Sequence, residues 1–280
     1  MRTVTARGIT LPSFMYGTAW KEERTEDLVT QAIAAGFRAI DTANQRRHYL
    51  ESGVGAATKA AIDGGVVTRE ELFLQTKFTY LRGQDHRLPY DPNASPTEQV
   101  AQSFQSSLEH LQTDHVDSYV LHGPSNPFTL AEVDRITWRA MEAEHTAGRT
   151  KLLGVSNVNL DQLTALWELA ETKPAFVQNR CFARDGWDRE VRAFCRDHEI
   201  VYQGFSLLTA NGRELHRPEV AEMAERIGRS IPQLVFRFAL QVGMLPLTGT
   251  TDEAHMRHDL EVYDFELEAA DVETLETLAG

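Results

Sequence analysis

The chain has 280 residues, with 28 Lys and Arg against 41 Asp and Glu, so its formal net charge at pH 7 is −13. This charge excludes nucleic acid as a main partner, because binding to a phosphate backbone relies on a positive field. It equally disfavours docking on an anionic membrane surface. With 42% hydrophobic residues the composition is that of an ordinary globular protein.

The cysteine content indicates a reducing compartment. Cys181 and Cys195 form no CxxC pair, so the sequence predicts no disulfide framework. The first residues contain no apolar signal region, and no run of 18 apolar residues occurs, so neither secretion nor membrane spanning is expected. We therefore expect a cytoplasmic protein, and the sequence leaves its oligomeric state open.

Short apolar segments typical of buried parallel strands recur along the chain. They begin at Phe14, Phe37, Leu72, Asp117, Lys151, Ala175, Ile200 and Met244. An alternating segment around Gly8 precedes them and predicts a hairpin at the barrel bottom. Helical periodicity occurs between the strands, for example over residues 26–35 and 97–111. Eight strands alternating with helices predict a single (β/α)8 barrel domain, of the TIM type, over residues 1–280.

Residues 80–96 follow the third predicted strand and hold three prolines with little periodicity. A loop there would lie at the carboxyl ends of the strands, where barrel enzymes have their active sites. A surface connection without a role is an equally good interpretation.

Three polar residues interrupt or end successive apolar strands: Asp41, Lys77 and His122. Each alone could be structural, but together they converge on one mouth of a barrel. A buried ammonium costs several kcal/mol unless it is paired, and Asp41 is the natural partner of Lys77. Tyr49, in the loop after Asp41, is close enough along the chain for this positive charge to lower the pKa of its phenol. A tyrosine, a lysine and a histidine around one point suit the reduction of a carbonyl.

Several ordered motifs resemble the aldo-keto reductases, barrel enzymes that use NAD(P)H. They are GFRAIDTA with a following Tyr and VG, the lysine of LFLQTKF, YVLHGP and GVSN, and the resemblance extends from GTAW to YDFEL. The resemblance implies a catalytic tetrad in which Tyr49 is the general acid and Lys77 lowers its pKa. Asp41 would hold Lys77, and His122 would orient the substrate.

The loop that carries Tyr49 departs from the family pattern. The interval of eight positions from Asp41 to Tyr49 is longer than the family usually has. Alignment on the downstream Glu51 and on Val54 and Gly55 instead puts His48 in the tyrosine position. We prefer Tyr49, because imidazole is a different acid and the loop is lengthened in any case.

The resemblance also implies a cofactor site at the ends of several strands. Its members would be Gly17, Thr18, Asp41, Ser156, Asn157, Gln178, Phe205, Ser206, Leu208, Gly249, Thr250, Thr251 and Arg257. Ser156, Asn157 and Gln178 would hold the nicotinamide carboxamide, and Phe205 would stack on the ring. Asn157 could instead cap a helix, and Phe205 could belong to the core.

The segment TGTTDEAHMR resembles the part of the family that binds the phosphates of the cofactor. Small residues before a helix offer free amide donors, although Thr250 and Glu253 also fit a capping box that needs no ligand. Gly249 and His255 stand where the family usually has Lys and Arg, which leaves His255 and Arg257 as the nearby cations. We expect NADPH by resemblance, with NADH kept open.

The predicted function is the NAD(P)H-dependent reduction of an aldehyde or ketone, with a small-molecule carbonyl as the partner. No metal is expected, because the histidine pairs lack further ligands at suitable spacing. Two alternatives stay open. One is a lyase that uses Lys77 as a Schiff-base amine, which pairing with Asp41 disfavours. The other is a cofactor-binding regulatory module with little turnover.

Overall fold

The computed structural model describes residues 3–278. A two-stranded antiparallel hairpin is followed by eight parallel strands that close into a barrel, in which each strand pairs with its chain neighbours. The hairpin strands are β1 (Thr3–Ala6) and β2 (Ile9–Pro12), and the barrel strands are β3 (Met15–Gly17), β4 (Ala39–Asp41), β5 (Phe73–Phe78), β6 (Val116–Leu121), β7 (Thr150–Ser156), β8 (Phe176–Arg180), β9 (Val201–Phe205) and β10 (Met244–Thr248). The predicted (β/α)8 fold is confirmed, with all eight predicted strands present.

Helices connect the strands and form the outer layer. They are α1 (Thr25–Ala35), α2 (Glu51–Asp63), α3 (Pro96–Leu111), α4 (Glu132–Thr146), α5 (Leu160–Leu169), α6 (Arg189–Asp197), α7 (Gly212–Leu215), α8 (Pro218–Ile227), α9 (Ile231–Gln241), α10 (Glu253–Leu260) and α11 (Ala269–Glu276). The two helices predicted over residues 26–35 and 97–111 are present, each one residue longer at its start. Across residues 3–278, no helix combines the length and the apolar character that a membrane crossing requires.

The hairpin covers the amino-terminal end of the barrel, as the sequence predicts. Ala6 and Leu11 are buried in a cluster with the first residues of the barrel strands, among them Met15, Phe73 and Val201. A cavity of about 1160 Å³ lies at this same end and is lined by residues of the hairpin, α6 and α11. The carboxyl ends of the strands, where the predicted site residues lie, are at the opposite end.

The barrel closes where its first and last strands meet. β10 pairs with β3 through only two residue pairs, Leu247 with Met15 and Thr248 with Tyr16. Beyond the paired residues, the Tyr16 hydroxyl donates a hydrogen bond to the carbonyl oxygen of Thr250 at 2.9 Å. The Lys21 ammonium donates to the carbonyl oxygen of Gly249. These two side-chain hydrogen bonds therefore lengthen the short seam, which is the contact between β3 and β10 that closes the barrel.

Gly55, in the motif VG after the Tyr49 loop, permits a close approach of α2 to the end of α3. A Cβ there would lie 2.1 Å from the carbonyl oxygen of His110 and 2.8 Å from the Cα of Leu111. We expect Gly55→Ala to lower the free energy of unfolding by about 1–3 kcal/mol or more, because backbone atoms must shift. Urea denaturation measures this, with Gly212→Ala as control, since no atom lies within 4 Å of a Cβ at that helical position. Equal shifts in the two variants would contradict the packing argument.

Candidate active site

Lys77 and Asp41 form a buried ion pair inside the barrel. Lys77 is fully buried, and its Nζ donates to both carboxylate oxygens of Asp41 at 2.7 Å and to the carbonyl oxygen of Thr42 at 2.8 Å. Burial lowers the pKa of Lys77, and the Asp41 carboxylate opposes that shift. The ammonium is thus paired as the sequence predicts. Such a lysine is not the free amine that the Schiff-base alternative requires.

Three buried glutamines form a hydrogen-bonded cluster, and two of them contact the Asp41 carboxylate. Gln75 and Gln178 each donate from Nε2 to Asp41 Oδ1, at 2.8 and 3.0 Å. Gln75 and Gln203 also exchange two amide hydrogen bonds across the barrel, of 2.8 and 3.0 Å. Sequence reasoning missed Gln75 and Gln203. The available signal was a polar residue two positions before Lys77 and another two before Phe205, because alternation along a strand puts such residues on one face.

In the lengthened loop between β4 and α2, the adjacent residues His48 and Tyr49 contact different neighbours. His48 and Tyr49 both donate their backbone N–H groups to the carbonyl oxygen of Gln45, at 3.1 and 3.0 Å. The His48 ring packs against Trp20 in a tilted arrangement, with a centroid separation of 3.8 Å and an interplanar angle of 37°. The Tyr49 ring instead lies 5.2 Å from the Nζ of Lys77 and 5.9 Å from the ring of His122. The structure therefore brings Tyr49, rather than His48, against the lysine.

Burial sets the protonation of the two aromatic groups beside Lys77. It raises the pKa of Tyr49 well above its ordinary value, and the Asp41 carboxylate raises it further. These two effects outweigh the lowering of this pKa that the sequence analysis expects from Lys77, and that contribution of Lys77 stays a prediction. Burial, followed by the charge of Lys77, lowers the pKa of His122 to about 3. At neutral pH the phenol therefore keeps its proton and the imidazole is uncharged.

The predicted carboxamide-binding residues lie together at the ends of β7 and β8. The Ser156 hydroxyl donates to the carbonyl oxygen of Gln178 at 2.5 Å, and Asn157 Nδ2 donates to the carbonyl oxygen of His122 at 2.8 Å. Asn157 does not cap the next helix, because Asn159 is the N-cap of α5. Within residues 3–278, Oε1 of Gln178 has no hydrogen-bond partner, so it remains available as an acceptor.

Left-handed backbone conformations occur around the mouth of the barrel. Trp20, Asn157 and Ser206 have φ values of 61°, 55° and 57°, although none is glycine. Such conformations cost of order 1–3 kcal/mol each and cluster at functional sites. Phe205 and Leu208, predicted with Ser206 to contact the cofactor, are both half-buried at the end of β9 and in the loop that follows.

Gly17 and Thr18 lie at the end of β3, directly beside Asp41. Gly17 pairs with Asp41 in the register of β3 and β4. The Thr18 hydroxyl donates to the carbonyl oxygen of Asp41 at 2.9 Å. The two predicted cleft residues are therefore fixed to the strand that carries the buried carboxylate.

The predicted phosphate-binding segment follows β10. The capping box assigned to Thr250 and Glu253 is wrong: Asp252 caps α10, and its carboxylate accepts a hydrogen bond from the N–H of His255 at 3.0 Å. The capping position falls two residues later because α10 begins only at Glu253. The predicted cation Arg257 forms an exposed ion pair with Glu253. Gly249, Thr250 and Thr251 thus provide backbone groups, and the arginine nearest to them is already paired.

The segment from Tyr80 to Pro96 packs against the loop that carries Tyr49. Gln84 Nε2 donates to the carbonyl oxygen of Asn44 at 2.8 Å, and the Tyr90 hydroxyl donates to that of Thr79 at 2.8 Å. Two apolar side chains near this rim remain open to solvent, Trp20 at 69% and Leu81 at 52% exposure. The segment therefore borders the candidate site rather than crossing a remote surface.

Comparison with known proteins identifies the family of this barrel. The family model described as Aldo/keto reductase family matches residues 13–279. The chain belongs to the aldo-keto reductase family. In the described part of this aldo-keto reductase, no group of three or more His, Cys, Asp or Glu side chains could hold a metal ion.

Two curated relatives and two solved structures illustrate the similarity. The glyoxal reductase and the uncharacterized oxidoreductase YtbE of Bacillus subtilis (strain 168) are each 30% identical to this chain over 273 residues, which is 97% of the chain and 90% of each relative. An aldo/keto reductase structure from Brucella melitensis has a TM-score of 0.83 and 27% identity and covers 99% of both chains. A Bombyx mori aldo-keto reductase in complex with NADP has a TM-score of 0.83 and 25% identity, covering 99% of this chain and 92% of that one.

Proposed function

We propose that this chain reduces an aldehyde or ketone to an alcohol with NADPH, and that Tyr49 supplies the proton. The observation that carries the proposal is the buried Lys77–Asp41 pair, with the Tyr49 ring 5.2 Å from the ammonium and 5.9 Å from the His122 ring. Family membership supports the reaction class, because its members are named for reducing carbonyls.

In this proposal Tyr49 is the general acid. A carbonyl oxygen that becomes an alkoxide must receive a proton, and the raised pKa of Tyr49 keeps the phenol protonated and ready to donate it. The Lys77 ammonium stabilises the phenolate that this transfer leaves, and solvent then returns the proton. Asp41 and the glutamines around it hold Lys77 in place.

His122 orients the substrate oxygen in the same proposal. Its Nδ1 lies 2.7 Å from the hydroxyl of Thr79. When that hydroxyl donates to Nδ1, the neutral ring carries its own proton on Nε2 and can donate it to a substrate oxygen. The lowered pKa keeps the ring neutral, so no second positive charge faces Lys77.

The residues at the mouth fit a nicotinamide dinucleotide. The free Oε1 of Gln178, beside Ser156 and Asn157, is the acceptor that a carboxamide NH2 group needs. Phe205, half-buried at the end of β9, offers an aromatic face for the ring. NADPH, when bound, would supply the hydride that the carbonyl carbon accepts. The NADP complex of the Bombyx mori relative supports this choice.

Oxidation of the reduced cofactor, followed by absorbance against a panel of aldehydes, ketones and sugars, tests the proposal. The similarity to a glyoxal reductase supports including glyoxal and other small dicarbonyls. We expect turnover with at least one carbonyl and a higher kcat/KM with NADPH than with NADH. A preference for NADH would overturn the cofactor assignment. If no carbonyl of the panel caused oxidation of either cofactor, the enzyme assignment would be overturned.

We also propose that the protein is cytoplasmic and forms one domain over residues 1–280. Two unpaired, buried cysteines support a reducing compartment. The first barrel strand begins at residue 15 and the last one ends at residue 248, so the closed barrel spans most of the chain, which supports one cooperative unit. Cell fractionation tests the location, and a single unfolding transition in calorimetry tests the domain assignment.

A further inference from the structure

Thr79 is a buried residue whose hydroxyl contacts the histidine that the proposed function assigns to substrate orientation. It directly follows β5, and only 5% of it is exposed. Its Oγ1 lies 2.7 Å from the Nδ1 of His122, and the backbone N–H of His122 donates to the carbonyl oxygen of Phe78 at 2.9 Å. The histidine is therefore attached to the end of β5 at two points, through its backbone and through its ring.

The surroundings of the Thr79 hydroxyl decide the direction of its hydrogen bond to the ring. A hydroxyl carries one proton, and within residues 3–278 the Thr79 Oγ1 has no hydrogen-bond partner other than Nδ1 of His122. If the ring donated from Nδ1, the hydroxyl proton would have no acceptor in the protein, which is costly for a buried group. The hydroxyl therefore donates, and the proton of the neutral ring lies on Nε2.

The segment of residues 80–96 fixes the backbone of Thr79. The carbonyl oxygen of Thr79 accepts a hydrogen bond from the Tyr90 hydroxyl at 2.8 Å and a second one from Nε2 of Gln84 at 3.3 Å. The buried ring of Tyr90 also packs against Phe78, with a centroid separation of 5.7 Å. Two side chains of this segment thus hold the peptide group that follows the hydroxyl.

Gly83, in the same segment, leaves room for the methyl group of Thr79. A Cβ on Gly83 would lie 2.7 Å from the Cγ2 of Thr79, well inside the separation of about 3.5–4.0 Å at which carbon atoms pack. A side chain there would push the methyl group aside. Because threonine carries its methyl and its hydroxyl on one carbon, the hydroxyl would rotate away from His122 with it. The missing side chain at residue 83 therefore keeps the hydroxyl directed at the ring.

We propose that Thr79 is a positioning residue for carbonyl reduction, and that residues 80–96 hold it so that its hydroxyl keeps the proton of His122 on Nε2. That N–H donates to the carbonyl oxygen of the substrate, to which Tyr49 delivers its proton. Thr79 itself does not touch the substrate. The proposal rests on the proposed function for the role of His122, whereas the position of the ring proton is a property of the protein without ligands.

Nitrogen NMR of protein labelled at its histidines tests the position of this proton, at neutral pH and without cofactor or carbonyl. The two nitrogens of a neutral imidazole have well-separated chemical shifts, because one carries the proton and the other does not. The signals of His122 are assigned by their loss in His122→Asn. We expect the proton on Nε2 and a bare Nδ1, and a proton on Nδ1 in the wild type would overturn the proposal.

Thr79→Val removes the donor to Nδ1 and keeps the shape of the side chain. We expect the Nδ1 signal of His122 to move toward that of a nitrogen without a hydrogen bond. The kcat/KM for a carbonyl should fall about 2- to 10-fold, the contribution of one hydrogen bond, while the Kd for NADPH stays unchanged. Thr79→Ser, which retains the hydroxyl, should restore both the signal and kcat/KM.

Thr164→Val is the matched control for Thr79→Val. It removes the hydroxyl of a half-buried threonine on α5, whose Oγ1 donates to the carbonyl oxygen of Leu160 at 2.8 Å, and it should leave the His122 signals and turnover unchanged. Turnover by a wild type whose Nδ1 signal does not respond to Thr79→Val would overturn this inference alone. An absence of turnover in a wild type whose Nδ1 signal does respond would overturn the proposed function instead.

Gly83→Ala tests the part of the segment while leaving the hydroxyl of Thr79 in place. We expect the Nδ1 signal of His122 to move in the same direction as in Thr79→Val, and kcat/KM to fall with it. Gly212→Ala is the control, because no atom lies within 4 Å of a Cβ at that position. Wild-type signals and turnover in Gly83→Ala would overturn the assignment of this positioning role to the segment.

Discussion

Tyr49→Phe is expected to lower kcat for carbonyl reduction by about 10²–10⁴-fold, the usual contribution of a general acid. The substitution removes the hydroxyl and keeps the ring between Lys77 and His122. The Kd for NADPH should stay close to that of the wild type, because the change removes a proton donor rather than a cofactor contact. Steady-state kinetics and calorimetric titration on the same preparation measure the two quantities.

His48→Gln is the matched comparison. The His48 ring packs against Trp20, whereas the Tyr49 ring lies beside Lys77, so we expect this variant to change KM for the carbonyl while retaining kcat. Full kcat in Tyr49→Phe together with a collapse in His48→Gln would transfer the role of the acid to His48. The interval from Asp41 to Tyr49 would then exceed the usual family length because His48, and not Tyr49, is the acid.

Asp41→Asn is expected to lower the free energy of unfolding by about 3–5 kcal/mol and to abolish most turnover. Without the carboxylate, the fully buried ammonium of Lys77 has no counter-charge. Lys77 then loses its proton or moves, and the contact that stabilises the Tyr49 phenolate disappears. Urea denaturation measures the first effect, and the rate of NADPH oxidation measures the second.

The double variant Asp41→Asn/Lys77→Met separates charge from packing. It removes the orphaned ammonium, so it should recover much of the lost stability but none of the turnover. Asp63→Asn, which breaks the exposed pair with Lys59, should cost at most about 0.5 kcal/mol. A loss below about 1 kcal/mol in Asp41→Asn would show that the pair is less buried than its contacts indicate.

The fold could be predicted because its signals are local. Each barrel strand is buried on both faces and appears as an apolar run, and α1 ends at Gly36, which adopts the left-handed conformation that ends a helix. The start of α10 was less predictable. Thr250 and Glu253 have the spacing of a capping box, but Asp252 is also a good N-cap, and its interaction with the N–H of His255 decides where the helix begins.

The candidate site was predictable where one residue interrupts an apolar pattern, as Lys77 and His122 do. Contacts between distant strands were not predictable. Gln75 and Gln203 lie 128 residues apart, and only barrel closure brings their amides together. The net rise in the pKa of Tyr49 was also not predictable, because the spacing of residues gives the charge of Lys77 but not the burial of the phenol.

The short seam between β3 and β10 has a consequence during synthesis of the chain. Lys21 and Gly249 are 228 residues apart. At about 5–20 residues per second, a ribosome needs on the order of 10–50 s to add that length. Throughout that interval β3 has a neighbour on one side only and presents an open strand edge, a surface that promotes aggregation. We therefore expect aggregation of the nascent chain to begin at this edge, and the barrel closes only when the last strand emerges.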